Sequence, residues 1–396
     1  MRFTLYFVFG LALAQTAQAA SMRALLDRAW ASNPQAQTLE AKRTESAAQG
    51  LAADSLLPGA PTIVLSHRSD QLQRNVGQRE SYIGVALPLW LPGQRDARQN
   101  QAQADQSALE AAIQAQRLKL AGELREAIWQ LKRVTVQSTI DAERVQTARV
   151  LAEDVAKRVQ AGELAKTDLN LAQNEWRSAQ AIQLQNHNVL LQSQQTLATL
   201  TGTSDLPEDS AESVQVKPLQ DNHPLLKEGR QAVAAAQAQV RVIGESQREQ
   251  PELEFGTFRD RGNLGEGYNN SIELKLRIPL ATAARNQPRV SAAQTSLTNA
   301  QSEYTRTRLT LEYQQQRAQQ ALHTTDQLLD LARQQRSAAQ ENLTLTQKAF
   351  TLGEAALFSL LQTRSAAFDA EQNFQQQEIA QALARARLNQ AQGVLP

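Results

Sequence analysis

Residues 159–171 read VQAGELAKTDLNL, and residues 350–362 read FTLGEAALFSLLQ. Each stretch places a glycine within a segment that is otherwise helical in character. The two glycines, Gly162 and Gly353, lie 191 positions apart. Glycine readily adopts the left-handed backbone conformation with which many helices end. The pattern therefore predicts the same helical turn in each half of the chain.

Prolines and glycines recur at almost the same offset outside these turns. Proline is absent from 93–206 and from 289–395. Residues of the same type stand 190 or 191 positions apart in four further pairs: Pro34/Pro224, Pro61/Pro251, Pro88/Pro279 and Gly202/Gly393. A fixed period of this kind is the signature of tandem structural units. We therefore predict two structural repeats, 20–206 and 207–396.

Both repeats show the same order of elements: a helix, a strand pair, a long helix, the glycine turn and a returning helix. Proline ends the opening helix because it cannot continue the backbone hydrogen bonding. Narrow apolar stripes on the long helices predict coiled-coil packing. The predicted helices are 35–56, 94–160, 166–201, 225–247, 289–350 and 357–392, and the predicted strands are 61–67, 81–89, 251–258 and 270–280. The fold class is mainly α with a small β part.

The last predicted strand alternates strictly between apolar and polar residues. Ordinary half-buried strands and membrane barrel strands both show this period of two. Four strands leave two open edges, which lipid does not tolerate, so a membrane role requires several chains to close one barrel. The side chains predicted to share the lipid face are Ile272, Leu274, Leu276 and Ile278.

The composition favours an exported chain of long helices. Residues 1–19 resemble a cleaved signal peptide, with Arg2, an apolar core and a small-x-small site ending at Ala19. The sequence contains 54 glutamines, and only 5% of its residues are aromatic. No later segment approaches 18 consecutive apolar residues, which predicts that no helix crosses a membrane.

The residues that usually carry chemistry are scarce. The chain has no cysteine and four histidines, none of them three or four residues from another, so neither a metal site nor a cofactor is predicted. No catalytic or phosphate-binding motif is visible. Without the signal peptide the chain has 40 basic and 40 acidic residues, which argues against a nucleic-acid partner. We expect that the protein is not an enzyme.

This order of elements, with the stretch ALLDRAWASNP (24–34) and the two glycine turns, resembles the TolC family of outer-membrane efflux proteins. The resemblance covers nearly the whole mature chain. It implies a homotrimer whose twelve strands form one β-barrel in the outer-membrane lipid. It also implies that the long helical hairpins form an α-barrel, a tunnel across the periplasm.

The resemblance further implies partners and sites. The partners would be a periplasmic adaptor protein and an inner-membrane transporter of the RND type. The hairpin tips that would dock the adaptor are Gly162, Glu163, Gly353 and Glu354. The family often places an acidic residue six positions after the tip glycine. The gate candidates at this position are Asp168 and Ser359, so the second carboxylate is missing here.

Three functions are open at this point. The first is a passive conduit in a tripartite efflux system. The short chain and short linker between the repeats (203–222) are similar to the branch of the family that serves heavy-metal resistance pumps, which would make metal ions the cargo. The second is the outer channel of a type I protein secretion system. The third is a soluble periplasmic coiled-coil scaffold, which would not need four strands of barrel length.

Overall fold

The computed structural model describes residues 21–72, 74–207, 209–214 and 218–396, and the predicted signal peptide (1–19) lies outside them. The fold is mainly helical with one small sheet, as predicted. Its helices are α1 (Met22–Ser32), α2 (Pro34–Ala53), α3 (Gln94–Gln160), α4 (Lys166–Thr201), α5 (Pro224–Glu245), α6 (Ala283–Thr351) and α7 (Leu357–Ala391). Its strands are β1 (Thr62–Ser69), β2 (Arg79–Pro88), β3 (Glu252–Arg261) and β4 (Asn269–Arg277).

The predicted bounds of α3 and α4 are confirmed, and those of α7 are met within one residue. The glycines that were expected to end these helices do so. At the end of α4, Gly202 has a φ of 76° and donates its N–H to the carbonyl of Ala198 at 2.8 Å. A helix that ends on a left-handed glycine satisfies carbonyls that would otherwise lack a donor. Among the helices of the described residues, none combines the length and apolar character that a bilayer crossing requires.

The predicted start of α6 is wrong. The sequence placed Pro288 in the corner before the helix, whereas α6 begins at Ala283 and contains this proline. Pro288 lies in the second turn of α6. Because proline has no backbone N–H, one carbonyl of the first turn lacks its usual hydrogen-bond donor. A hydrogen bond to another segment stabilises the start of the helix: the side-chain amide of Asn286 donates to the carbonyl of Gln247, which follows α5, at 2.8 Å.

The four strands form one antiparallel sheet in the order β1-β2-β3-β4. The β1–β2 and β3–β4 hairpins lie side by side, and β2 pairs with β3 through registers such as Ile83↔Thr257 and Tyr82↔Phe258. Opposite residues of an antiparallel pair share a face, so the register sorts the side chains into two sets. β1 and β4 are the outer strands of the described sheet, each with one hydrogen-bonded neighbour.

Strand β4 is shorter than predicted. Its pairing ends at Arg277, which lies opposite Glu252, the first residue of β3. Ile278 therefore lies one residue beyond the strand, and the prediction that it continues the strand is wrong. The strands instead reach further into the hairpins than predicted, so that the loops shorten to 70–78 and 262–268.

The chain divides into two compact units. The first contains the described parts of Met1–Asn33, Lys119–Val216 and Gln316–Pro396, and the second those of Pro34–Leu118 and Lys217–Gln315. Each unit draws on both halves of the sequence, so these units are not the repeats, and the repeat boundaries stay a prediction.

The first unit has an apolar core around the centre of α3. The stripe that the sequence predicted is buried there and packs with α1. The buried residues include Leu25, Leu26, Leu120, Leu124, Ile128 and Leu131, each at most 2% exposed.

Candidate functional site

The first glycine turn ends α3 with two backbone hydrogen bonds. Gly162, at a φ of 81°, donates its N–H to the carbonyl of Val159 at 3.1 Å. Glu163 donates its N–H to the carbonyl of Arg158 at 2.9 Å. This pair of bonds is a Schellman motif, which satisfies the last carbonyls of the helix. Gly162 and Glu163 are both exposed, so this turn presents its surface outward in the isolated chain.

The second turn repeats the first bond for bond. Gly353, at a φ of 76°, donates to the carbonyl of Phe350 at 3.1 Å, and Glu354 donates to that of Ala349 at 2.9 Å. Gly353 and Glu354 are exposed as well. The structure therefore builds both sequence-predicted turns with the same geometry. Their role in docking an adaptor stays a prediction.

One apolar cluster of the first unit joins the two hairpins just behind their turns. Its members come from all four long helices, and side chains next to the turns, such as Leu164, pack against it. The guanidinium of Arg158 lies over the ring of Phe350, 5.2 Å from its centroid. The two turns are thus held on one shared core, which contains Leu151, Ala152, Val155, Ala172, Phe350, Leu357 and Leu360.

The two gate candidates occupy the same helical position but differ in their contacts. Asp168 is the third residue of α4, and its Oδ2 accepts the backbone N–H of Ala165 at 3.1 Å. The bond closes the first turn of the helix, and a carboxylate there also suits the positive end of the helix dipole. Ser359 is the third residue of α7, where Ala356 has no side-chain cap. Asp168 therefore has a structural role that Ser359 does not share, and a gating role for either residue stays a prediction.

Exposed apolar side chains flank the second turn, a feature that the sequence reasoning missed. Leu352 and Phe358 are both 65% exposed. The signal was present in the sequence, because large apolar residues stand here next to an expected exposed turn, where polar residues are usual.

The sheet of the second unit has one strongly apolar face that is exposed. Leu274 is 71% exposed and Leu65 is 72% exposed. Ile272, Leu274 and Leu276 share this face, as the sequence predicted, and Ile278 follows beyond the strand end. Neighbours on the other strands complete the surface: Ile63, Leu65, Ile83, Val85, Leu87, Leu253, Phe255 and Thr257.

The opposite face of the sheet is polar and partly covered. The ring of Tyr82 lies close to the backbone of β3, since a Cβ on Gly256 would stand 2.8 Å from the tyrosine hydroxyl. The ammonium of Lys275 lies 5.3 Å from the centroid of this ring and 3.7 Å from the carboxylate of Glu254. The sheet therefore separates an apolar exposed surface from a charged one.

Across the part of the chain that the structure describes, no group of three or more His, Asp or Glu side chains is placed to hold a metal ion. His67 and His187 lie in different units, as do His223 and His323.

The sequence profile of the outer membrane efflux protein family matches residues 25–203 and again 216–394. Comparison with curated proteins finds no match. Among solved structures, a membrane protein from Pseudomonas aeruginosa is 19% identical, with a TM-score of 0.77 over 94% of this chain and 90% of that one. CusC, whose crystal structures concern transmembrane channel formation, is 17% identical, with a TM-score of 0.78 over 94% and 92%. VceC, an outer membrane protein from Vibrio cholerae, is 16% identical, with a TM-score of 0.76 over 94% and 96%.

These likenesses establish the fold, and the two profile matches cover most of the sequence. The family is one of channels rather than of enzymes. Its members lie in the outer membrane and extend into the periplasm. The chain therefore belongs to the outer membrane efflux protein family, the family of TolC.

Proposed function

We propose that this protein is the outer-membrane channel of a tripartite efflux system. Three copies would close one barrel of twelve strands and one tunnel of long helices. The channel is passive: an inner-membrane transporter of the RND type supplies the energy, and a periplasmic adaptor joins the two. The exposed apolar face of the sheet is the observation that carries this proposal.

Two properties of the sheet support the shared barrel. Its apolar face is suited to lipid tails, and its charged face is suited to a wet lumen. Its outer strands, β1 and β4, each pair with one neighbour in the described chain. An unpaired strand edge is strongly disfavoured in hydrocarbon, whereas closure with further copies satisfies every backbone group. Four strands are too few to leave a lumen, and twelve leave room for a channel.

The hairpin turns support the docking of an adaptor. The two turns have the same backbone hydrogen-bond pattern, as a repeated contact would require, and their exposed residues are Gly162, Glu163, Gly353 and Glu354. Leu352 and Phe358 add apolar surface beside the second turn. Exposed apolar side chains rimmed by polar ones are typical of protein interaction sites. We propose that these side chains contribute to the contact.

The gate that we propose is a ring of three Asp168 carboxylates near the turns. A ring of carboxylates lining a narrow lumen attracts cations. Ser359 occupies the same helical position in the other hairpin without a charge, so the ring has three charges rather than six. Metal ions are the cargo class that the family branch with a short linker suggests.

Membrane fractionation followed by gel electrophoresis without heating tests the channel directly. We expect the protein in the outer membrane as a band near three chains, which heating converts to one chain. A monomer in the soluble periplasmic fraction would reject the channel and favour a scaffold.

Docking can be tested by cross-linking, because the chain has no native cysteine. Single cysteines at Glu163 and Glu354 should cross-link to a co-expressed periplasmic adaptor. A cysteine at Glu303, an exposed position on α6 whose side chain is 70% exposed, is the control and should not. Equal cross-linking at all three positions would reject tip docking.

A further inference from the structure

Three arginines lie together on the apolar face of the sheet, at the end where the hairpin loops are. Arg79 is the first residue of β2, and Arg261, the last of β3, lies directly opposite it. Arg259 lies two residues before Arg261 and therefore on the same face. The helices α2, α3, α5 and α6 connect at the other end of the strands. The arginines thus mark the hairpin-loop end of the apolar surface.

This arrangement places like charges next to each other on neighbouring strands. Opposed like charges on neighbouring strands destabilise a sheet. The adjacent acids, Glu80 and Asp260, alternate to the other face. In the described residues, none of the three arginines forms an ion pair with a carboxylate. Together they form a concentrated positive charge that has no carboxylate partner among the residues that the structure describes.

Neighbouring groups hold Arg259 and Arg261 in place, and a cavity lies beside Arg259. Arg261 donates its Nε–H to the carbonyl of Gly77 at 2.9 Å. The guanidinium groups of Arg259 and Arg261 lie 4.2 Å and 4.9 Å from the centroid of the Tyr268 ring. Such cation–π contacts orient a guanidinium without neutralising its charge. A cavity of about 550 Å³ against the sheet is lined by polar residues, among them His67, Ser81, Arg259 and Asn270, and by the apolar Leu65 and Ile83.

We propose that the cluster of Arg79, Arg259 and Arg261 binds the phosphate groups of an anionic lipid of the outer membrane. Guanidinium groups bind phosphate oxygens through paired, charge-assisted hydrogen bonds. The lipid tails would lie along the apolar surface that begins directly beside the cluster. This continuity of charge with apolar surface favours a lipid over a free anion. The proposal rests on the proposed function, since it requires this face to meet lipid.

The position of the cluster within the sheet keeps it accessible in the assembly. β2 and β3 are the two inner strands, whereas closure of a shared barrel would join the outer strands β1 and β4 of neighbouring copies. The cluster therefore lies away from the junction between copies and faces outward. An aromatic side chain such as Tyr268 at this level is also typical of the interface between lipid and water.

Native mass spectrometry of the detergent-solubilised, assembled protein tests the proposal with two probes, diphosphoryl lipid A and its dephosphorylated form. We expect the wild-type protein to retain the phosphorylated lipid about tenfold better, because each basic group near an anionic lipid surface contributes measurably to binding. The triple variant Arg79→Gln/Arg259→Gln/Arg261→Gln should retain both lipids equally. Equal retention of both by the wild-type protein would overturn the proposal.

The matched control removes three charges elsewhere: Arg68→Gln/Arg277→Gln/Arg285→Gln, of which Arg285 lies in the first turn of α6 and pairs with Glu249. Arg68 and Arg277 lie on the opposite face, where they pair with Glu80 and Glu252. The control should keep the preference for phosphorylated lipid, and its loss there would show that only net charge matters and overturn the site. If the triple variant does not assemble, Arg259→Gln alone should weaken the preference about threefold, and an unchanged preference would count against the site.

Two further outcomes separate the possible failures. Displacement of bound lipid A by millimolar inorganic phosphate would indicate a free-anion site and overturn the lipid assignment. A protein that is soluble and monomeric without detergent would reject the proposed function itself, before any lipid is added. An assembled membrane protein without a phosphate preference would reject this inference alone.

Discussion

The guanidinium of Arg125 donates two parallel hydrogen bonds to the carboxylate of Glu212, 2.8 Å from Nε to Oε1 and 2.7 Å from Nη2 to Oε2. Arg125 is only 2% exposed although it lies in the middle of α3, and it also donates to the carbonyl of Val394 at 3.0 Å. Glu212 belongs to the segment between α4 and α5. The pair therefore ties that segment and the C-terminal residues to α3.

Glu212→Ala should destabilise the protein by about 3 kcal/mol, because it leaves the buried charge of Arg125 without its carboxylate. Thermal unfolding of the detergent-solubilised protein, followed by circular dichroism, measures the loss. The double variant Arg125→Met/Glu212→Leu should regain much of it, since burying two apolar side chains removes the unpaired charge.

An exposed ion pair provides the control for this prediction. Arg43 and Glu110 are joined at 2.7 Å in the second unit, with side chains 41% and 46% exposed. The Arg43 guanidinium lowers the pKa of the Glu110 carboxyl, yet exposed pairs contribute at most about 1 kcal/mol. Glu110→Ala should therefore have a small effect. An equal loss for the two glutamates would contradict the importance of burial.

The glycine turns lead to a second prediction. Gly162→Ala should cost about 1–2 kcal/mol, because an L-residue at a φ of 81° is strained. A Cβ there meets no atom within 4 Å, so steric contact adds nothing. Hydrogen exchange at the amides of the turn measures the effect locally, and faster exchange is expected.

Gly244→Ala is the matched control. Gly244 lies inside α5, and a Cβ there also meets open space. Alanine is the better helix former, so this variant should be stabilised by up to about 1 kcal/mol. Destabilisation by both substitutions would show that the left-handed conformation is not the cause at Gly162.

The long helices were predictable because local signals agree over many residues. Proline-free windows and glycine stops located α3 and α4, and the apolar stripe around Leu124 and Ile128 identified buried positions. The burial of Arg125, next to that stripe, was not predictable. It depends on Glu212, 87 residues away, and on the end of the chain, and no local pattern reports such a contact.

The candidate site was predictable only in part. The left-handed glycines follow from the sequence, because few other residues adopt that conformation. The cluster of Arg79 and Arg261 depends on the register between β2 and β3, which joins residues from the two halves of the chain. If the register between these strands were shifted by one residue, Arg79 and Arg261 would lie on opposite faces of the sheet. The alternation of apolar and polar residues does not by itself determine that register. The end of β4 was predicted wrongly because it, too, depends on pairing between strands. Ile278 continues the apolar alternation but has no partner on β3.

Acidification should destabilise the second unit through His223. The imidazole is 2% exposed, and its Nδ1 accepts the backbone N–H of Leu225 at 3.2 Å at the start of α5. Burial lowers the pKa of His223 from 6.5 to about 4. The unfolded chain therefore binds a proton more readily, and stability is full above pH 6.5 and falls as the pH drops towards 4. We expect a loss of up to about 3 kcal/mol from this residue, measured by unfolding between pH 7 and pH 4.

His223→Asn separates this titration from helix capping. Asparagine is a favourable residue before the first turn and does not titrate in this range. The variant should keep its stability at pH 7 and lose less than the wild type between pH 6.5 and 4. An unchanged pH profile would show that other groups cause the acid sensitivity.

The last prediction separates the two roles of Asp168, the capping bond and the gate charge. Asp168→Asn keeps an oxygen that accepts the N–H of Ala165 but removes the negative charge, so stability should change little. Asp168→Ala removes both and should cost about 1 kcal/mol.

In planar bilayers, both variants should lose cation preference to the same extent, because the proposed ring acts through its charge. Glu303→Gln, which removes an exposed charge from α6, should leave the preference unchanged. If only the alanine variant altered conduction, the capped helix end rather than the carboxylate charge would control the channel.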